Sequence, residues 1–418
     1  MDYQESLDWI HQQLKFGIKP GLERVKWLLN ELGNPQKKVQ AVHVVGTNGK
    51  GSTVNYLQTI FTKAGYEVGT FVSPYIMDFR ERISINGIMI AKDEFVAMAN
   101  DVRPIVERLP LETEWEPATE FEIITVLMFE YFGNRHPVDI AFIEAGLGGL
   151  YDSTNVFHPL AVICPSIGLD HQAILGETYK EIAEQKAGVL KSQVPFIYAV
   201  ERDDVRRVFE ETAASLSCPT YELGKDFKIR EQGSGFVFAY GDDELTVKDL
   251  AMLGHHQMAN ASLVIMACLL LRKNYSKVTD QVILSSLTQA KWLGRTELIR
   301  DNLMIDGAHN KESVVVLVDL LKTKYADREV HILFAAIDGK PVDQMLEQLA
   351  KFSSLTVTTF DYPSSLTLDR YPASYEHIES WQEWLETVYD ESNSALYVVT
   401  GSLYFISAVR HYLLEQAD

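Results

Sequence analysis

The run Gly46-Thr47-Asn48-Gly49-Lys50-Gly51-Ser52-Thr53 gathers three glycines, a lysine and three hydroxyls into one short segment. Those residue types suit a phosphate. Glycines let backbone N–H groups converge on an anion at a helix N-terminus, Lys50 reaches terminal phosphates, and Ser52 and Thr53 either cap the helix or hold magnesium. The ordinary phosphate-loop template Gly-x-x-x-x-Gly-Lys-Ser/Thr needs Gly at Val44 and Ser or Thr at Gly51, so two of its fixed positions fail. A strand-to-helix turn with a capping Ser is the plain alternative. Context favours nucleoside triphosphate binding: the apolar run 39–45 precedes the loop, and a helical pattern through Leu57, Ile60 and Phe61 follows it.

Other polar residues fall at the ends of apolar runs, where an open α/β sheet presents its ligands. Glu144 follows 140–143 and leads into Gly146-Leu147-Gly148-Gly149; Asp170-His171 follows 163–169; Ser73 follows 68–72. Together Ser73, Glu144 and His171 supply oxygen and nitrogen ligands for a magnesium also held by phosphate oxygens; taken singly each is a weak signal, and a lone His is more often a structural residue than a ligand. Lys186 lies in an otherwise apolar helix end, and by spacing alone such a lysine snorkels to water. Arg295 and Asp306-Gly307-Ala308-His309-Asn310 suggest an arginine that meets phosphate and an acid that orients ribose or the arginine, against an ordinary surface pair.

Strands alternating with helices must carry these groups. Strand-like runs at 39–45, 68–72, 139–143, 160–163 and 195–200 are separated by helical stretches such as 121–132 and 179–190, which argues for a largely parallel sheet covered on both faces. Helical spacing also covers 4–17 and 22–32. Asn86-Gly87 between 82–85 and 88–90 predicts a type I′ hairpin. A polar β-like section at 219–249 precedes a buried helix at 257–272. After Trp292-Leu293-Gly294-Arg295 the alternation restarts, with strands at 303–305, 330–336, 356–360 and 395–400 and helices at 314–325, 342–352, 381–389 and 403–414. The expected fold is α/β: a phosphate-loop-containing, mostly parallel sheet domain over 1–294 and a smaller Rossmann-like α/β domain over 295–418, with no second phosphate loop.

Composition sets outer limits. The chain has 418 residues, 46% hydrophobic and 23% charged, enough to bury a core and too apolar for disorder. A formal charge of −20 with no basic patch argues against nucleic acid as a partner. Cys164, Cys218 and Cys268 are widely spaced and read as core thiols. Met1 to Ile10 carry Asp2, Glu5 and Asp8, the wrong order for a signal peptide, and the uncharged helical run 255–271 is shorter than the ~20 apolar residues of a membrane span, so a cytoplasmic protein is expected.

The ordered motifs resemble the folylpolyglutamate synthase and dihydrofolate synthase family of the Mur ligase superfamily. They are Lys15-Phe16-Gly17, Gly46 to Ser52, Ser73-Pro74, Glu81-Arg82-Ile83, Thr119-Glu120-Phe121-Glu122, Glu144 to Gly149 and Asp152-Ser153-Thr154-Asn155. Gly168-Leu169-Asp170-His171, Lys186-Ala187-Gly188, His256-Gln257 with Asn260, Gly294-Arg295-Thr296-Glu297 and Asp306 to Asn310 follow in order. The resemblance implies a cytoplasmic monomer that joins L-glutamate to a folate, or to dihydropteroate, with ATP and Mg2+ and no membrane partner. It assigns Gly46, Thr47, Asn48, Gly49, Lys50, Gly51, Ser52 and Thr53 to ATP, with Asn260, Arg295 and Asp306 as further nucleotide contacts. It gives Ser73, Glu144 and His171 to magnesium, Lys186 as a carbamate to a second magnesium, and His309 to the glutamate-activating site. Closure of the two domains about residue 294 is expected to bring Arg295 and Asp306 onto ATP. A Mur-type cell-wall peptide ligase is the nearest rival, and a phosphate-loop switch the more distant one. Tyr75, Leu293, Lys311, Leu150 and Tyr151 depart from the common family pattern.

Overall fold

A computed structural model describes residues 1–13, 20–389 and 394–416. Lys15, Phe16 and Gly17, and the end of the helix expected over 4–17, lie outside the described residues; the part described is the helix Tyr3–His11.

Eight strands form the first sheet: β1 (Ala41–Val44), β2 (Val68–Phe71), β3 (Ile83–Ile85), β4 (Ile88–Met89), β5 (Ile140–Glu144), β6 (Ala161–Cys164), β7 (Phe196–Tyr198) and β8 (Thr220–Glu222). Their order is β4-β3-β2-β5-β1-β6-β7-β8, parallel from β2 to β8. The central strands β1, β2, β5 and β6 are buried along their whole length, as a parallel sheet covered on both faces requires. Phe71, Ala141 and Ile143 point into one core with Phe95 and Phe129, whereas Val162, Cys164 and Phe196 point into another with Phe209. The chain leaves β1 on one side for β2, returns to insert β5, then crosses to β6. That reversal beside β1 is where open α/β sheets bind ligands.

The Asn86-Gly87 hairpin joins β3 and β4, with φ of 51° and 78° at the two turn residues. The 219–249 section divides: β8 completes the parallel sheet, while β9 (Lys228–Gln232), β10 (Gly235–Tyr240) and β11 (Asp243–Val247) make an antiparallel sheet of their own. The stretch expected as helix over 121–132 runs as Glu120–Glu130 and then loosens into a π-turn at Tyr131–Arg135.

A third sheet holds β12 (Glu297–Arg300), β13 (Leu303–Ile305), β14 (Val330–Phe334), β15 (Ser354–Val357), β16 (Glu376–His377) and β17 (Leu396–Thr400), in the order β12-β13-β17-β14-β15-β16. Its core gathers Met304, Leu317, Phe334, Leu346 and Val398. The chain divides into two compact units, Met1–Ile167 with Leu175–Asp249 and Ala259–Ala290, and Gly168–Ile174 with Leu250–Met258 and Lys291–Asp418. The second unit therefore includes two short pieces that precede residue 290 in sequence. Among the described residues no helix is long and apolar enough to cross a membrane, and all three cysteines are buried and free.

Candidate active site

In the first unit β1 ends at Val44 and the chain turns through Gly46–Gly49 into the helix Lys50–Lys63. Gly49 is the N-cap at φ +86°, and no side chain caps the helix. A Cβ there would lie 2.6 Å from Asn260 Oδ1, so glycine is needed for both conformation and space. The N-cap position is thus held by a glycine rather than by Ser52. Thr53 turns inward and donates from Oγ1 to Gly49 O at 2.8 Å. The loop is laced to the segment after β6: Thr47 N–H donates to Ser166 O at 2.9 Å, and Asn48 N–H to Ser166 Oγ at 3.0 Å. Lys50 Nζ donates back to Gly46 O and Thr47 O at 3.0 and 3.2 Å and stands 3.8 Å from Glu144 Oε1.

Glu144 is the last residue of β5 rather than the residue after it, and only 4% of it is exposed. Because β2 and β5 pair in parallel with Phe71 opposite Ile143, Ser73 and Glu144 lie at the C-terminal ends of neighbouring strands. The snorkelling read for Lys186 does not occur. Lys186 is 4% exposed and donates from Nζ to Gly46 O at 2.9 Å. Two ammonium groups and one carboxylate thus meet around a single loop.

Residues given no site role from the sequence hold this cluster. A Cβ on Gly149 would lie 2.7 Å from Gln185 O, and Leu150 N–H donates to the same carbonyl at 2.7 Å, so the glycine segment lies directly against the helix that carries Lys186. Asp152 accepts from Leu147 N–H at 2.7 Å and Thr154 N–H at 3.0 Å. Burial pushes the Asp152 pKa up, against those hydrogen bonds. Thr154 in turn meets His43 Nε2 at 2.8 Å. The sequence signal was present, an Asp two residues before a Thr at a turn, but its partners were not.

The second unit holds the remaining expected residues. Asp306 follows β13, and its carboxylate accepts from Thr296 N–H at 2.8 Å and Ala308 N–H at 2.9 Å. Burial raises its pKa while Arg295 opposes the rise. Arg295 donates to Gly307 O at 3.4 Å. His309 Nδ1 lies 2.7 Å from Gly307 O; only an N–H makes that bond, so Nε2 carries the lone pair. Withdrawal from water, with the charge of Lys340, pushes His309 down to about 3, leaving a neutral imidazole at pH 7.

His171 lies in Gly168–Ile174, which packs with this second unit. Beside it, Asp170 accepts from Lys340 Nζ at 2.8 Å and Asn310 Nδ2 at 3.3 Å. Burial alone would raise the Asp170 carboxyl, but Lys340 and His171 hold it well below the usual carboxylate range. Among the described residues no three His, Cys, Asp or Glu side chains form a ready-made metal cluster. Hydroxyl and carboxylate oxygens such as those of Ser73 and Glu144 nonetheless suit magnesium, which keeps waters and phosphate oxygens in its shell.

The chain is similar over its whole length to two bacterial enzymes. It is 41% identical over 426 residues to the dihydrofolate synthase/folylpolyglutamate synthase of Bacillus subtilis (strain 168), covering 98% of this chain and 99% of that one. It is 34% identical over 430 residues to the folylpolyglutamate synthase of Lacticaseibacillus casei, covering 99% of each. A solved FPGS-AMPPCP-folate complex superposes with a TM-score of 0.84 at 32% identity, covering 99% of this chain and 100% of that one. No family model matches the sequence. On identity, coverage and shared architecture, the chain belongs to the dihydrofolate synthase/folylpolyglutamate synthase family.

Proposed function

We infer that this protein is an ATP-dependent amide-forming ligase that adds L-glutamate to the glutamyl carboxylate of a reduced folate. The observation that carries this is the convergence of Lys50, Glu144 and Lys186 on the Gly46 loop, in a chain 41% identical end to end with an enzyme named for both activities. The dihydrofolate synthase part of that name also supports dihydropteroate as an acceptor. A Mur-type peptide ligase is not favoured, because the relatives and the superposed complex are folate enzymes.

A carboxylate resists attack by an amine because its charge is delocalised and oxide is a poor leaving group. In the proposed reaction a folate carboxylate oxygen attacks the γ-phosphorus of ATP, the bond to the bridging oxygen breaks, and ADP leaves. The neutral glutamate amine then attacks the acyl carbon, the C–O bond breaks with its electron pair going to the departing phosphate, and the proton lost from nitrogen ends on that phosphate. The uncapped start of the helix Lys50–Lys63 and the Lys50 ammonium face the charge that develops on the transferring group, so the rate gain is electrostatic and positional. Asn260, Arg295 and Asp306 are proposed as further nucleotide contacts. His309, with its lone pair on Nε2, is proposed to accept a hydrogen bond from the incoming amine.

Magnesium, when bound, neutralises phosphate charge and fixes the oxygens in line. Ser73, Glu144 and His171 are proposed to hold the first ion. An ammonium cannot ligate a cation, so Lys186 serves a second ion only as a carbamate, its amine carrying a carboxyl group derived from CO2. The test is ADP release by the purified protein with ATP, Mg2+ and glutamate, given tetrahydrofolate or dihydropteroate. Turnover with a folate that stops when glutamate is omitted is expected. ATP hydrolysis indifferent to both substrates would overturn the ligase reading.

A further inference from the structure

His171 has φ of +52°, a left-handed backbone that residues other than glycine seldom occupy and that persists only where the surroundings over-determine it. The surroundings do so here. Leu169 N–H donates to Glu312 Oε1 at 3.0 Å. Gly168 passes so close that a Cβ would lie 3.0 Å from Glu312 Cδ. Asn310, the N-cap of the helix Lys311–Lys324, accepts from Ser313 N–H at 2.9 Å while its Nδ2 donates to Asp170 Oδ2 at 3.3 Å. Lys340 Nζ binds the other Asp170 oxygen at 2.8 Å, and His171 N–H donates to that same oxygen at 2.9 Å. Successive residues 168, 169 and 170 are therefore gripped by one helix start and one lysine, while the His171 side chain, 48% exposed, projects beyond them.

We propose that Glu312, with Asn310 and Lys340, is a positioning clamp that fixes the backbone of Leu169-Asp170-His171 and so sets the direction of the His171 imidazole. The inference rests on the proposed role of His171 as a magnesium ligand. Glu312 acts through the backbone, as a hydrogen-bond acceptor of defined reach, and its charge is secondary. Outer partners of this kind typically change metal affinity by ~10–100-fold when removed.

Glu312 gives a cleaner test than Lys340, which also lines a cavity of about 290 Å3 with Gly339, Val342 and Arg370 and would confound positioning with ligand binding. Mn2+ affinity is measured on the full chain with AMPPCP present, alongside kcat and KM for glutamate. Glu312→Ala is expected to weaken Mn2+ binding by ~10-fold or more and to lower kcat with KM for glutamate unchanged. Glu312→Gln, which keeps the acceptor oxygen and loses the charge, is expected to restore both to within about twofold. If Glu312→Ala does not fold, Gly168→Ala, which displaces the same carboxylate, is measured in its place with the same expectation. Equal loss in the Ala and Gln variants would overturn the positional role, as would Mn2+ affinity unchanged in Glu312→Ala. His171→Ala separates the two levels: if it leaves Mn2+ affinity intact, the ligand assignment fails, whereas a loss there with none in Glu312→Ala sinks the clamp alone.

Discussion

Lys50 and Lys186 both donate to the carbonyl of Gly46, yet the proposed chemistry asks opposite things of them. Lys50 must stay an ammonium, since its task is to meet negative charge on the transferring phosphoryl group. Lys50→Ala is expected to leave a folded protein, with an unchanged circular dichroism melt, and to lose at least ~10^2-fold in glutamate-dependent ADP release, the scale of removing one preorganised transition-state donor. Turnover near that of the parent protein would remove the phosphate-loop assignment. Lys186 has to become an anion to hold a metal, and its burial beside the loop gives a carbamate a site sheltered from water. Lys186→Ala is expected to abolish turnover and to regain part of it when short carboxylic acids are added, because a free carboxylate can occupy the vacated space. Intact-mass measurement of active protein showing an unmodified lysine, without rescue, would count against the carbamate.

At the scale of elements, the glycine segment after β5 sets where the Lys186 helix lies. A Cβ on Gly149 would meet Gln185 O at 2.7 Å and Lys186 Cα at 3.0 Å, both backbone atoms that cannot swing aside. Gly149→Ala should therefore cost ~1–3 kcal/mol as overpacking and displace the helix Tyr179–Ala187, so that activity falls further than stability does. Gly241→Ala is the contrasting case: its φ is positive, at +55°, where that of Gly149 is not, and nothing lies within 4 Å of the added carbon. It should cost roughly 1–2 kcal/mol of left-handed backbone strain in urea unfolding and leave turnover unchanged. These examples also mark what local sequence can carry. Asn86-Gly87 announced its hairpin because the φ requirement belongs to the two residues themselves, and the strand-loop-helix at Gly46 was legible because all its parts are contiguous. The burial of Lys186 was not, since it depends on a carbonyl 140 residues away. Nor was the grip on Asp170, whose partner Lys340 is 170 residues distant. β12 and the short β16 carry no apolar alternation and gain their place only by pairing with β13 and β15.

For the molecule as a whole, the formal charge of −20 suggests that mild acid should help, by easing self-repulsion. Between about pH 6.5 and 5, however, ordinary carboxylates, with pKa values near 4, remain mostly ionised, and buried histidines govern the balance. His43 is 1% exposed, bonded to Thr154 and set against Phe157, and burial with the charge of Lys191 pushes it from 6.5 down to about 3. The unfolded chain takes up a proton there as pH falls through 6.5, and the folded chain does not until about 3. The unfolded state thus binds more protons across that window, so stability is highest above pH 6.5 and declines on acidification, by up to about 1.4 kcal/mol per pH unit for each such histidine. His43→Gln removes one of these protons. Whatever it costs in absolute stability, its urea-unfolding free energy plotted against pH should be shallower than the parent's between pH 5 and 6, by close to that amount. Parallel slopes would mean that the folded protein already protonates His43 in that window, and that its burial against Phe157 and its bond to Thr154 do not hold it neutral.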